Sequence, residues 1–177
     1  MVRYIRGLLK RELTVGGYRI TGSELIFLVF AGVLAVLVRV GLRSFVADDW
    51  SIYWSNWLME LEEKGFSALA EDFYDYAPPV MYLLYGITLL PVNAMTALKG
   101  FCCLLEFTGA LVIAGIVAEC TGSRRRARLA GIFFLFLPTV ILNAAAWSQC
   151  DIIYTFLILC SVYFLLKDRT WTGMWFY

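Results

Sequence analysis

Eight of the chain's 14 acidic residues fall in one stretch: Asp48, Asp49, Glu60, Glu62, Glu63, Glu71, Asp72 and Asp75. Three of its six tryptophans (Trp50, Trp54, Trp57) and three tyrosines (Tyr53, Tyr74, Tyr76) lie in the same stretch, Ala47 to Pro79, and Lys64 is its one cation. Aromatic rings of this kind suit a membrane–water boundary. The carboxylates have two chemical uses. A carboxylate within hydrogen-bond reach of a hydroxyl can act as its base, and carboxylates from separate elements can hold Mg²⁺ or Mn²⁺ through oxygen. A further acid, Asp151, follows Trp147-Ser-Gln149-Cys150 at the start of a late apolar run. Solvated loop acids are the plain alternative. The chain has no histidine, which removes the usual general base and the commonest metal ligand. Five cysteines (Cys102, Cys103, Cys120, Cys150, Cys160) lie in or beside apolar segments without a C-x-x-C pair, so they read as small buried hydrophobes.

The elements that must position these groups are membrane segments. Of 177 residues, 61% are hydrophobic and 16% charged, against about 45–50% and about 25% in soluble domains. The composition predicts an all-α integral membrane protein. Residues 1–23 carry Arg3, Arg6, Lys10, Arg11 and Arg19, with Leu8, Leu9 and Leu13 beside them. They read as a cytoplasmic basic amphipathic segment, a short helix on the membrane surface. Residues 25–46 form a first span, with Arg39 and Arg43 near its far end, placed to snorkel or to face external anions. In the external loop 47–79, residues 52–64 and 66–75 read as two interfacial helices broken at Gly65, with Ile52, Trp54, Trp57, Leu58 and Leu61 on one face. Pro78-Pro79 opens a new element.

The stretch 79–91 is too short to cross, so it reads as a re-entrant or interfacial helix. Residues 97–120, 129–146 and 152–166 then supply three further spans. This puts the N-terminal basic residues, the Arg124–Arg128 run and the Lys167/Arg169 pair together in the cytoplasm, as short basic loops prefer. The acidic loop and the Trp147–Asp151 turn meet outside. Glu106, deep in the second span, is expected to face other helices. Residues 24–169 thus form one membrane module, and 170–177 read as the start of a further membrane segment, cut short.

Three motifs carry a resemblance: Asp49-Trp-x-x-Tyr-Trp-x-x-Trp57, Asp75-Tyr-Ala-Pro-Pro-x-x-Tyr-Leu-Leu84, and Asn143-Ala-Ala-Ala-Trp-Ser-Gln-Cys-Asp151-x-x-Tyr-Thr-Phe-Leu157. In this order they resemble bacterial membrane glycosyltransferases of the GT-C superfamily, in particular proteins related to the GPI mannosyltransferase-II family. The likeness runs from about Ile26 onward. Trp50 stands where tyrosine is usual, Asn56 where proline is frequent, and Ser148 where glycine is usual. The resemblance implies a GT-C-like helical bundle of about four transmembrane helices, the N-terminal part of the family's longer module. It implies transfer of mannose or another hexose from a polyprenyl-phosphate-linked donor to a glycan, lipid or protein acceptor, with inversion, on the external face of a bacterial plasma membrane. By carry-over Asp49 is the base, with Asp48 beside it. Asp151, Gln149, Asp75, Tyr76, Trp54, Trp57 and Trp147 are expected to contact substrate, and Arg39, Arg43 or Lys99 to meet the phosphate. Asp49 and Asp151 are the pair that would share a Mg²⁺ or Mn²⁺ ion in branches that use one. The alternative function is a non-catalytic membrane protein that binds a lipid-linked glycan or a partner subunit. The basic residues sit in short flanks that topology explains, so no nucleic-acid partner is expected.

Overall fold

The computed structural model describes residues 12–15 and 18–177. Most of the expected N-terminal surface helix lies outside these residues. The part within them, Leu13 included, is not helical: β1 (Glu12–Val15) pairs antiparallel with β2 (Tyr18–Thr21), Val15 opposite Tyr18. Threonine, valine, tyrosine and isoleucine favour a pleated backbone. The described residues are therefore mostly helical with an antiparallel strand pair, rather than all-α. The chain divides into two compact units, 1–38 and 39–177.

In the first unit β2 runs into helix α1 (Gly22–Leu42). Thr21 and Glu24 form a reciprocal cap: the Glu24 N–H donates to Thr21 Oγ1 (3.3 Å), and the Thr21 N–H donates to Glu24 Oε2 (3.1 Å). This Thr-x-x-Glu box explains why α1 starts three residues before the expected span. Its mean hydropathy of 2.7 over a crossing length makes it a membrane-span candidate.

The second unit takes in the last turn of α1 and, after it, a π-helical turn, Trp50–Trp54, that runs directly into α2 (Ser55–Lys64). Trp54, Trp57, Leu58 and Leu61 are buried as the spacing predicts, but Ile52 is 55% exposed. A π turn holds an extra residue per turn and takes Ile52 out of register with that face. Gly65, at φ 63°, ends the helix. The expected second helix over 66–75 shrinks to a 3₁₀ segment, Gly65–Ala70. Residues beyond it are not helical, and Ala77, which precedes proline, is extended. Lys64 ties the two parts together, meeting Glu60 at 3.1 Å and Glu71 at 2.6 Å.

Helix α3 (Pro78–Thr88) starts at the two prolines. Its 11 residues rise about 16 Å, well short of the roughly 30 Å of a bilayer core. Helix α4 (Ala94–Thr121) is long enough, with 28 residues and hydropathy 2.2. Asn93 caps its start by accepting from the Thr96 N–H, and left-handed Gly122 ends it. The expected third span is broken: α5 (Arg124–Leu135) meets Pro138–Ala146 at 48°, the latter being α6 (Pro138–Ile141) and a π turn, Leu142–Ala146. Pro138 lacks the N–H that would continue the helix, which accounts for the bend.

Helix α7 (Asp151–Leu166) has 16 residues and rises about 24 Å. Among the described residues, two helices are long and apolar enough to cross a membrane, or three if the bent pair counts as one span. The expected fourth is shorter than that. The last stretch, α8 (Thr170–Phe176), folds back on α7: a Cβ at Gly173 would lie 2.9 Å from Leu165, and Phe164 stacks on Phe176 at 5.5 Å.

Candidate functional site

The Trp147–Asp151 turn is where the three motifs converge. The Ser148 N–H donates to the Ala144 carbonyl and the Gln149 N–H to the Asn143 carbonyl, which closes a tight turn at the end of the π segment. Ser148 completes it at φ 59°, a left-handed conformation that favours glycine. The turn presents the Gln149 amide to the acidic loop. Gln149 Nε2 donates to Asp49 Oδ2 at 2.8 Å, and Gln149 Oε1 accepts from the Tyr76 hydroxyl at 3.0 Å. One amide therefore links an acid of the first motif to a tyrosine of the second.

Tyr76 is itself packed. Its ring lies 5.2 Å from Trp54 and 5.7 Å from Trp57, and the two indoles are 5.5 Å apart. Burial pushes the Tyr76 hydroxyl well above its ordinary pKa, and nearby Cys150 and Asp151 add to this. Burial likewise pushes the Cys150 thiol up to about 11. Tyr76 thus keeps the proton it donates to Gln149. That fixes the amide's direction and aims its NH₂ group at Asp49. Asp49, Tyr53, Trp54, Trp57, Asp75, Tyr76 and Gln149 line one open cavity of about 230 Å³. It offers a carboxylate oriented by an amide, a second carboxylate at Asp75 and aromatic walls.

The other expected site residues are elsewhere. Asp48 is exposed and does not line the cavity, and Trp147 is 48% exposed. Arg39 neither snorkels nor faces outward. It is 5% exposed, its Nε donates to Glu106 Oε2, an Nη donates to the Leu135 carbonyl at 3.1 Å, and it lies over the Phe107 ring. Glu106 faces the interior as expected, 1% exposed, and supplies the counter-charge. Lys99 is 4% exposed and donates to the carbonyls of Phe45 (2.6 Å), Arg43 (3.3 Å) and Leu42 (3.4 Å). It gathers carbonyls at the last residue of α1 and just beyond it, the ordinary work of a cation at a helix C-terminus. Arg43 is exposed. Cys102, Cys150 and Cys160 are buried as expected, while Cys120 is exposed.

Asp151 is held by Asn143, whose Nδ2 donates to Oδ2 at 2.8 Å, and it lines a different cavity from Asp49. Each of these two carboxylates has an oxygen engaged by an amide, and the arrangement does not bring both to one cavity. Among the described residues, no group of three His, Cys, Asp or Glu side chains suited to a metal occurs. The Gln149 link was missed as a pairing, although Gln149 itself stood in the third motif.

Compared with protein-family models, curated proteins and solved structures, the chain matches none.

Proposed function

We propose that the chain is a membrane glycosyltransferase, or part of one, that takes a hexose such as mannose from a polyprenyl-phosphate carrier. The acceptor is a hydroxyl on a glycan, lipid or protein at the external face of a bacterial plasma membrane. One observation carries the reading: Asp49, Asp75, Tyr76 and Gln149, drawn from all three motifs, line a single cavity with Trp54 and Trp57.

In the proposed reaction the Asp49 carboxylate takes the proton of the acceptor hydroxyl. That oxygen bonds to the anomeric carbon on the face opposite the phosphate. The carbon–oxygen bond to phosphate breaks, and its electron pair leaves with the polyprenyl phosphate, so the anomeric centre inverts. A carboxylate has about four lone-pair sites, so Asp49 keeps the capacity to accept this proton while Gln149 holds it. Trp54 and Trp57 give the sugar apolar faces to lie against. No step is routed through a metal ion.

The test is Asp49→Asn, with transfer from a radiolabelled polyprenyl-phosphate hexose measured in membranes. General-base removal is expected to cut the rate by about 10²–10⁴-fold. Unimpaired transfer by this variant sinks the assignment.

A second reading, a non-catalytic protein that binds a lipid-linked glycan, has one observation in its favour. Two of the three cations expected to meet the phosphate, Arg39 and Lys99, are engaged inside the helices. Binding of the lipid-linked sugar with no transfer, unchanged in Asp49→Asn, is its signature.

A further inference from the structure

A second cavity, of about 330 Å³, lies between α4, α5, α6 and α7. That is the lower end of the size range of small-molecule sites, about 300–1,000 Å³. Its polar lining is Glu106, Asp151, Asn143, Thr139 and Thr155. Glu106 is 1% exposed; its Oε2 is taken by Arg39, and its Oε1 is buried with no hydrogen-bond partner. A buried acceptor left unmade costs about 1–3 kcal/mol, and more when charged. Ionisable groups at membrane depth are rare and mark ligand or ion pathways.

We propose that this cavity binds a primary ammonium group carried on a short apolar stem. Three features select that chemistry. The lining is rich in acceptors: Glu106 Oε1, the Asp151 carboxylate and the Asn143 and Thr139 oxygens. An ammonium offers three donors and no acceptor. The charges leave one negative unit, because Arg39 offsets Glu106 while Asp151 meets a neutral amide. One positive charge completes the balance. The remaining wall, Phe134, Val140 and Ile152, is apolar. A hard inorganic cation takes about six or more oxygens and gains nothing from such a wall, whereas an alkyl stem is covered by it. This site does not depend on glycosyl transfer.

Thermal unfolding of the full chain in detergent tests it, with n-butylammonium chloride as probe against equal sodium chloride and n-butanol. The expected result is a saturable rise in Tm with butylammonium alone. Asp151→Asn, which leaves the Arg39–Glu106 pair intact, is expected to weaken the apparent affinity about tenfold or more; a factor of ten is about 1.4 kcal/mol. Glu106→Gln breaks that pair and threatens the fold, so Asp151→Asn carries the test. An equal rise with sodium chloride, an equal rise with butanol, an unchanged affinity in Asp151→Asn, or no saturable rise each overturns the proposal. Repeating the titration in nanodiscs with and without phosphatidylethanolamine identifies the natural source. Competition by that lipid assigns the site to an aminolipid headgroup, and its absence assigns it to a soluble amine; both outcomes require the site.

Discussion

Ser148 holds a conformation that an L side chain resists. At φ 59° it is left-handed, and it is 1% exposed with its hydroxyl unpaired. The left-handed region costs about 1–2 kcal/mol, and an orphaned buried hydroxyl about 1–3 kcal/mol. Glycine there would lose roughly 0.5–1 kcal/mol of backbone entropy. Ser148→Gly is therefore expected to stabilise the chain by about 1 kcal/mol or more, a Tm rise of about 2–4 °C at this length. A lower Tm in a thermal scan would refute the strain argument. The sequence pointed at this position, since the glycosyltransferases it resembles there usually carry glycine, but the backbone angle supplies the reason. Arg39 and Lys99 teach the converse. Both were legible as unusual cations near an end of a span. Their partners, a carboxylate 67 residues away and carbonyls more than 50 residues away, are set by packing, which spacing along one helix does not encode.

At the scale of elements, helix existence was readable because apolar runs and caps are local. Pro78-Pro79, Asn93, Gly122 and Ser123 mark boundaries by their own chemistry. What escaped was the bend at Pro138, the π turn that rotates Ile52 outward and the pairing of strands Glu12–Val15 and Tyr18–Thr21. A close approach of helix to backbone is also invisible in the sequence. A Cβ on Gly131 of α5 would stand 2.7 Å from the Ala110 carbonyl oxygen of α4, whereas one on Gly100 of α4 would meet nothing within 4 Å. Gly131→Ala should therefore cost about 1–3 kcal/mol through overpacking against backbone. Gly100→Ala should be neutral or gain up to about 1 kcal/mol from helix propensity. Thermal unfolding of the two variants side by side decides this, and equal Tm values would show that α4 and α5 do not approach so closely.

Over the whole molecule, the proposed topology makes one sharp demand. If α4 crosses the membrane and α3 does not, Asp48 and Arg125 lie on opposite sides. In a Cys120→Ser background, Asp48→Cys is expected to react with a membrane-impermeant maleimide in intact cells. Arg125→Cys is expected to react only after permeabilisation. Equal labelling of both from one side would overturn the arrangement.

The sequence by itself determined a mostly helical chain with apolar segments fit for a membrane. It also gathered acids and aromatics into one loop, and these traits were legible because composition and hydrophobic period are properties of short stretches. Only the tertiary structure decided which of the marked residues meet. Gln149 joins Asp49 to Tyr76 across 100 and 73 residues, while Asp151, two positions further on, faces another cavity with Glu106. A turn of a few residues separates two sites, and its direction follows from the left-handed Ser148 and the helices packed around it.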